Sequence, residues 1–134
     1  MGLVIDTSAL VQMDRSRVVA KDLGFANEPV VLPAIVWAEA LIGVRLASSA
    51  KRAARRRGLL ERIRLVSTFE PFSLEAAEIY ADLYIELRSN GQLIPQNDLQ
   101  IAAIALSLDY GVLVGRQDEK HFRTINGLRV ETLT

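Results

Sequence analysis

Apolar residues fall along this chain in short solid runs, separated by longer stretches with helical spacing. "GLVID" (2–6) is apolar until it stops at Asp6. A run without polar alternation reads as a strand buried on both faces. "TSALVQM" (7–13) then turns to helical spacing, and "SRVVAKDLGF" (16–25) reads as a short helix opened by Ser16. "VVLP" (30–33) is a second strand. From Ala34 a long helical pattern runs through "IVWAEALIGVRLA", with Ile35, Ala38, Leu41 and Ile42 on one side and an end near Ser48 and Ser49. Gly58 is expected to divide the next segment into two helical pieces. "RLVSTFEPF" (64–72) contains a third strand. Ser73 suits the N-cap of "LEAAEIYADLYIELR", and Asn90-Gly91 is a stop signal. The apolar helix that begins near Asn97 and Asp98 ends by Gly111; "VLV" (112–114) is a fourth strand and "LRVETL" (128–133) holds a fifth.

Strands that alternate with helices predict an α/β fold: a three-layer α/β/α sandwich around a mainly parallel sheet of about five strands. No repeat or linker interrupts the pattern, so residues 1–134 read as a single domain. Half of the residues are hydrophobic, enough for a sizeable core. The chain has no cysteine, which removes disulfides and thiolate metal sites and fits a reducing compartment. No run reaches the length of a membrane span, and "MGLVID" lacks the pattern of a signal peptide, so a cytoplasmic protein is expected. Formal net charge is zero, which excludes a general polycation. The charge is uneven, however. Eight basic residues lie between Arg45 and Arg64, opposed only by Glu61. Within this segment Arg52, Arg55, Arg56 and Arg57 are candidates for contact with RNA phosphates or with a protein partner.

The acids carry the chemistry. Asp6 ends the first strand, and sites in open parallel sheets form at the carboxyl ends of strands. Asp98 opens a helix, where a carboxylate suits both capping and the helix dipole. Asp118 and Glu119 follow the fourth strand. Glu39 sits among Trp37, Ala38, Ala40 and Leu41, an unusual setting for a charge. Acids from four separated places can meet on one rim. Like charges held together need a cation, and oxygen-only ligation suits a hard ion such as Mg²⁺ or Mn²⁺. Metal-assisted hydrolysis of a phosphoester or phosphodiester follows. His121, the lone histidine, stands beside Phe122 and reads as packing or turn structure. Trp37 reads as core, and Tyr80 and Tyr84 as one packed helix face at a subunit contact.

Taken together, "VIDTSAL" with Asp6, "WAEALIG" with Glu39, "IPQNDLQIAAIAL" with Asp98, "GRQDEKHF" with Asp118 and the closing "INGLRVETL" resemble the PIN-domain ribonucleases. More narrowly they resemble the VapC toxins of VapBC toxin–antitoxin pairs. The resemblance spans nearly the whole chain. It implies a Mg²⁺- or Mn²⁺-dependent endoribonuclease, a homodimer, held inactive by a VapB-like antitoxin. By position it makes Asp6, Glu39, Asp98 and Asp118 the catalytic, metal-binding acids, and it makes Ser8 the small polar residue that holds a ligand or water by its hydroxyl. Two departures stand out. Glu119 competes with Asp118 for the fourth acidic position, although counting back from Phe122 favours Asp118. Arg116-Gln117 replaces the usual Thr-Arg before it. Two other classes remain open on the residues alone. One is a Mg²⁺-dependent phosphohydrolase with an aspartyl nucleophile, which usually needs a second Asp where Ser8 stands. The other is a non-catalytic module that binds RNA or a partner.

Overall fold

The computed structural model describes residues 1–16 and 28–133. The helix expected after Ser16 therefore lies outside the described residues. Five strands form one sheet: β1 (Leu3–Ile5), β2 (Val30–Pro33), β3 (Thr68–Glu70), β4 (Gly111–Val114) and β5 (Val130–Thr132). Their order is β3-β2-β1-β4-β5 and every pairing is parallel. Six helices are described: α1 (Thr7–Ser16), α2 (Ala34–Arg45), α3 (Ala50–Val66), α4 (Leu74–Ser89), α5 (Gln96–Ser107) and the short α6 (Glu119–Arg123). Helices α1, α2 and α3 pack on one another, as do α4 and α5, and helices cover both sides of the sheet. This is the expected sandwich, with a sheet that is wholly parallel.

Burial explains the solid apolar runs. Leu3, Val4 and Ile5 of β1 and Val112, Leu113 and Val114 of β4 are all buried, as central strands covered on both faces must be. In α5 the block Ile101–Ala105 is buried all round, so that helix lies inside the molecule. It stops at Leu108. Asp109, at φ 57°, then turns the chain into β4.

The topology fixes where a site can form. The chain runs outward from β1 to β2 and β3, then crosses back to place β4 on the other side of β1. Leu3 faces Val30 on one side and Gly111 on the other. The winding direction thus reverses between β1 and β4, and ligands in such sheets bind outside the carboxyl ends of the strands at that point.

Two helical expectations are corrected. Gly58 does not divide its segment; it lies within the continuous α3. Ser49 caps that helix by accepting from the Arg52 amide, and Leu59, Leu60 and Ile63 bury one side of it. A mid-helix glycine costs about 0.5–1 kcal/mol, less than the burial of those three residues contributes. In α2 the buried residue is Val36, whereas Ala38 and Ile42 are exposed; the helix ends at Arg45, short of the serines. Its inward face is narrow because α3 packs along it and Trp37 turns toward β3, edge-on to Phe69.

Gly58→Ala tests the continuity of α3. Only Arg62 comes near an added Cβ, at 3.8 Å. The variant is expected to gain about 0.5–1 kcal/mol in denaturant unfolding, whereas a break at Gly58 would make it neutral or destabilising.

Candidate metal centre

Asp6 follows β1 directly and is 1% exposed. Its oxygen Oδ2 accepts the amide N–H of Ser8 at 3.0 Å and the Ser8 hydroxyl as well. The same Ser8 hydroxyl oxygen accepts the Gly115 amide at 2.9 Å. The start of α1 is thereby stitched to the end of β4. Gly115 allows this approach: a Cβ there would lie 2.5 Å from the Ser8 carbonyl oxygen. The next amide, that of Arg116, donates to Gln12 Oε1 at 3.0 Å, so the loop that departs from the usual Thr-Arg is held through its backbone. The Ser8 hydroxyl proton goes to Asp6.

Glu39 is half-buried on α2, and the Thr7 hydroxyl donates to its Oε1 at 2.8 Å. Thr7 was not singled out from sequence, although it lies in the same "DTS" opening. Asp98 is not the N-cap of α5. Pro95 occupies that position without a side-chain bond, and Asp98 lies in the first turn. The side chain instead meets His121, whose Nδ1 lies 2.6 Å from Asp98 Oδ2. Asp118 Oδ1 is 3.9 Å from the same nitrogen. Asp98, Asp118 and His121 each offer a donor atom within 4.8 Å of the others, close enough for one cation to bridge. Glu119 turns away and pairs with Arg123 at 2.7 Å.

One open groove is lined by Glu39, Asn97, Asp98, Asp118 and His121. Asp6 lies beneath this rim, where its carboxyl feels the charges of Asp98 and Asp118. Three of the four expected acids therefore line one groove, with Asp6 near enough to feel two of their charges, whereas the metal-sized cluster found among the described residues contains His121 and leaves out Asp6 and Glu39. The side chain of His121, expected to serve packing or a turn, faces these acids instead. The available signal was its three-residue spacing from Asp118, which puts both on one side of a helical turn.

The PIN domain family matches residues 3–127. This chain belongs to that family. Its relatives include Ribonuclease VapC1 of Rickettsia felis, 31% identical over 134 residues, covering 100% of this chain and 98% of the relative. Ribonuclease VapC5 of Mycobacterium tuberculosis is 30% identical over 115 residues, covering 86% of this chain and 83% of the relative. Among solved structures, VapBC-5 of Mycobacterium tuberculosis, a member of the VapBC family of toxin–antitoxin systems, is similar with a TM-score of 0.74 at 29% identity, over 98% of this chain and 97% of that one. VapBC2 of Rickettsia felis, bound to a DNA fragment from its promoter, shares the fold with a TM-score of 0.84 at 23% identity over 100% of both chains.

In this PIN domain the basic segment divides. Arg55 and Arg56 pair with Asp14 at 3.1 and 3.6 Å, and Arg56 donates to the Gly43 carbonyl at 2.7 Å. Arg57 pairs with Glu61 at 3.0 Å and lies over the Trp37 ring, on another face. A groove between α1, α2 and α3 runs from Thr7 and Glu39 over Leu10 and Ala40 to Arg52 and Arg55. Three of the four arginines thus border a surface continuous with the acidic rim, and Arg57 does not. Tyr80 and Tyr84 stack with ring centroids 6.5 Å apart, as one face of α4.

Burial dominates the electrostatics. It raises the Asp6 carboxyl to about pH 7 despite two hydrogen bonds from Ser8 that act to lower it; Asp98 and Asp118 add to the rise. Asp98 is also raised, first by burial, with the His121 bond opposing. Glu119 is lowered by its bond to Arg123. The folded PIN domain therefore holds the Asp6 proton more tightly than the unfolded chain does. The resulting stability is complete below about pH 4 and is lost as pH rises through about 7. In chelator, stability is expected to fall by up to about 4 kcal/mol across this window, and Asp6→Asn should flatten the slope. Melting curves at several pH values check both, and an equal slope in the variant would mean that other groups carry it.

Proposed function

We propose that this PIN domain is a Mg²⁺- or Mn²⁺-dependent endoribonuclease and the toxin of a toxin–antitoxin pair, with Asp6, Glu39, Asp98 and Asp118 as its metal-binding acids. The observation that carries the reading is the meeting of these acids, from four separated parts of the chain, where β1 and β4 reverse the winding of the sheet. The names of the relatives, ribonucleases of the VapC type, support the substrate class. A carboxylate as buried as Asp6 calls for a cation, and the donor set suits a hard divalent ion. When bound, the ion lowers the pKa of its water and offsets charge on the phosphate. The chain's own groups do the rest. Ser8 and Thr7 orient Asp6 and Glu39, each leaving a second carboxylate oxygen for the ion. The fixed turn of residues 115–118 presents Asp118, and the open groove admits an RNA backbone.

The partner reading has its own support. Several solved structures of this fold are of toxin–antitoxin complexes. A VapB-like antitoxin that lays an Arg or Lys against the acidic rim would offset its charge as a metal does. Arg52, Arg55 and Arg56 line the adjoining groove and serve either RNA phosphates or that antitoxin. A homodimer through α4 fits the exposure of Leu74, Tyr84 and Ile85. Among the described residues no helix is long and apolar enough to cross a membrane, and we place the protein in the cytoplasm.

Asp98→Asn tests the site. The amide keeps the shape of the carboxylate and removes one negative charge. The variant is expected to melt no lower than the wild type in chelator, to gain less from added Mn²⁺, and to lose RNA cleavage by orders of magnitude. Cleavage of RNA but not of a phosphate monoester by the wild type separates this reading from a phosphohydrolase, and retained cleavage by the variant would refute the assignment.

Arg52→Glu tests the groove. If Arg52 meets a phosphate, RNA affinity should fall for all sequences alike, and the slope of log affinity against log salt should shrink by about 0.7 for a single strand. An unchanged slope would leave Arg52 as a solvated residue.

A further inference from the structure

The histidine beside the acids has no part in the four-carboxylate reading, yet it makes the closest contact in the groove. Its Nδ1 lies 2.6 Å from Asp98 Oδ2 and 3.9 Å from Asp118 Oδ1. Its backbone is pinned on both sides. The His121 amide donates to the Asp118 carbonyl at 3.0 Å, and its own carbonyl accepts the Thr124 hydroxyl at 2.8 Å. The next side chain, Phe122, is fully buried, which anchors α6 in the core. The imidazole therefore projects from a fixed platform that also carries Asp118, and it grips an acid that belongs to α5.

We propose that His121 is a positioning residue for the metal: it clamps one oxygen of Asp98, leaves the other to the ion, and thereby sets the separation of the Asp98 and Asp118 carboxylates. The inference rests on the functional reading above, because it presupposes a metal between these acids. Outer partners of this kind fix the orientation of a ligand, and their loss typically weakens metal binding by about 10–100-fold. A clamp and a direct ligand differ in what they discriminate. An imidazole that ligated the ion would favour Mn²⁺ over Mg²⁺, since nitrogen donors suit the transition metal better. A clamp acts on the carboxylate and affects both ions alike.

The test is calorimetric titration of Mn²⁺ and of Mg²⁺ into the full chain, as wild type, His121→Ala and His121→Asn. The alanine variant is expected to weaken both ions by a similar factor, about 10–100-fold. The asparagine variant carries an amide N–H that can reach the Asp98 oxygen and should recover most of the affinity. Should the alanine variant melt too low to titrate, His121→Leu fills the volume without a donor and carries the same expectation. Unchanged affinity without the imidazole overturns the clamp, as does a loss confined to Mn²⁺, which would make His121 a direct ligand. Failure of the asparagine variant to recover binding also overturns it. A wild type that takes up neither ion defeats the functional reading itself, a result distinct from any of these.

Discussion

Carboxylates taken out of water repel one another, and this repulsion is the constraint on which the rest of the structure depends. The protein accepts it at the one place where a parallel sheet leaves room, outside the ends of β1 and β4. Three of the four acids there are held by a donor of their own: Asp6 by Ser8, Glu39 by Thr7, Asp98 by His121. These bonds orient the carboxylates without neutralising them. The raised titration of Asp6 and Asp98 comes first from their burial, and the neighbouring carboxylates add to it.

Rigidity is the other half of the arrangement. The acids are carried by elements whose opposite faces are fixed in the core: the wholly buried β1 and β4, the block Ile101–Ala105, and Phe122 under α6. Buried interiors pack at the density of organic crystals, so such elements do not drift apart under repulsion. The bond from the Gly115 amide to Ser8 ties the two central strands together at the rim itself. The same scaffold places a basic groove beside an acidic one, so a protein without net charge presents two opposite surfaces side by side.

Much of this could be read along the chain. The strands were legible because buried parallel strands are solid apolar runs, and the sandwich followed from their alternation with helices. Asp6 was legible as the polar stop to the first run. Other features depend on contacts that periodicity does not carry. Gly58 looked like a break because its local cost is visible in sequence and the packing of Leu59, Leu60 and Ile63 against other elements is not. Asp98 looked like a cap because Asn97 and Asp98 have the chemistry of caps, whereas Pro95 supplied the extended backbone that starts the helix. His121 looked like packing because its partner is 23 positions away and only the fold brings them together. Arg57 was grouped with its neighbours in sequence, but helical rotation sends it to Trp37.

The stitch between Ser8 and Gly115 joins residues 107 positions apart. A parallel sheet with its first strand in the middle cannot assemble in the order in which the ribosome delivers it. β1 must wait, paired at most with β2 and β3, until β4 has emerged to lie on its other side. At about 5–20 residues per second, that wait lasts seconds. For that interval Asp6 and Asp118 belong to no common site. The acidic rim can thus form only when synthesis of the domain is nearly finished, so a half-made chain carries its first acids without the site.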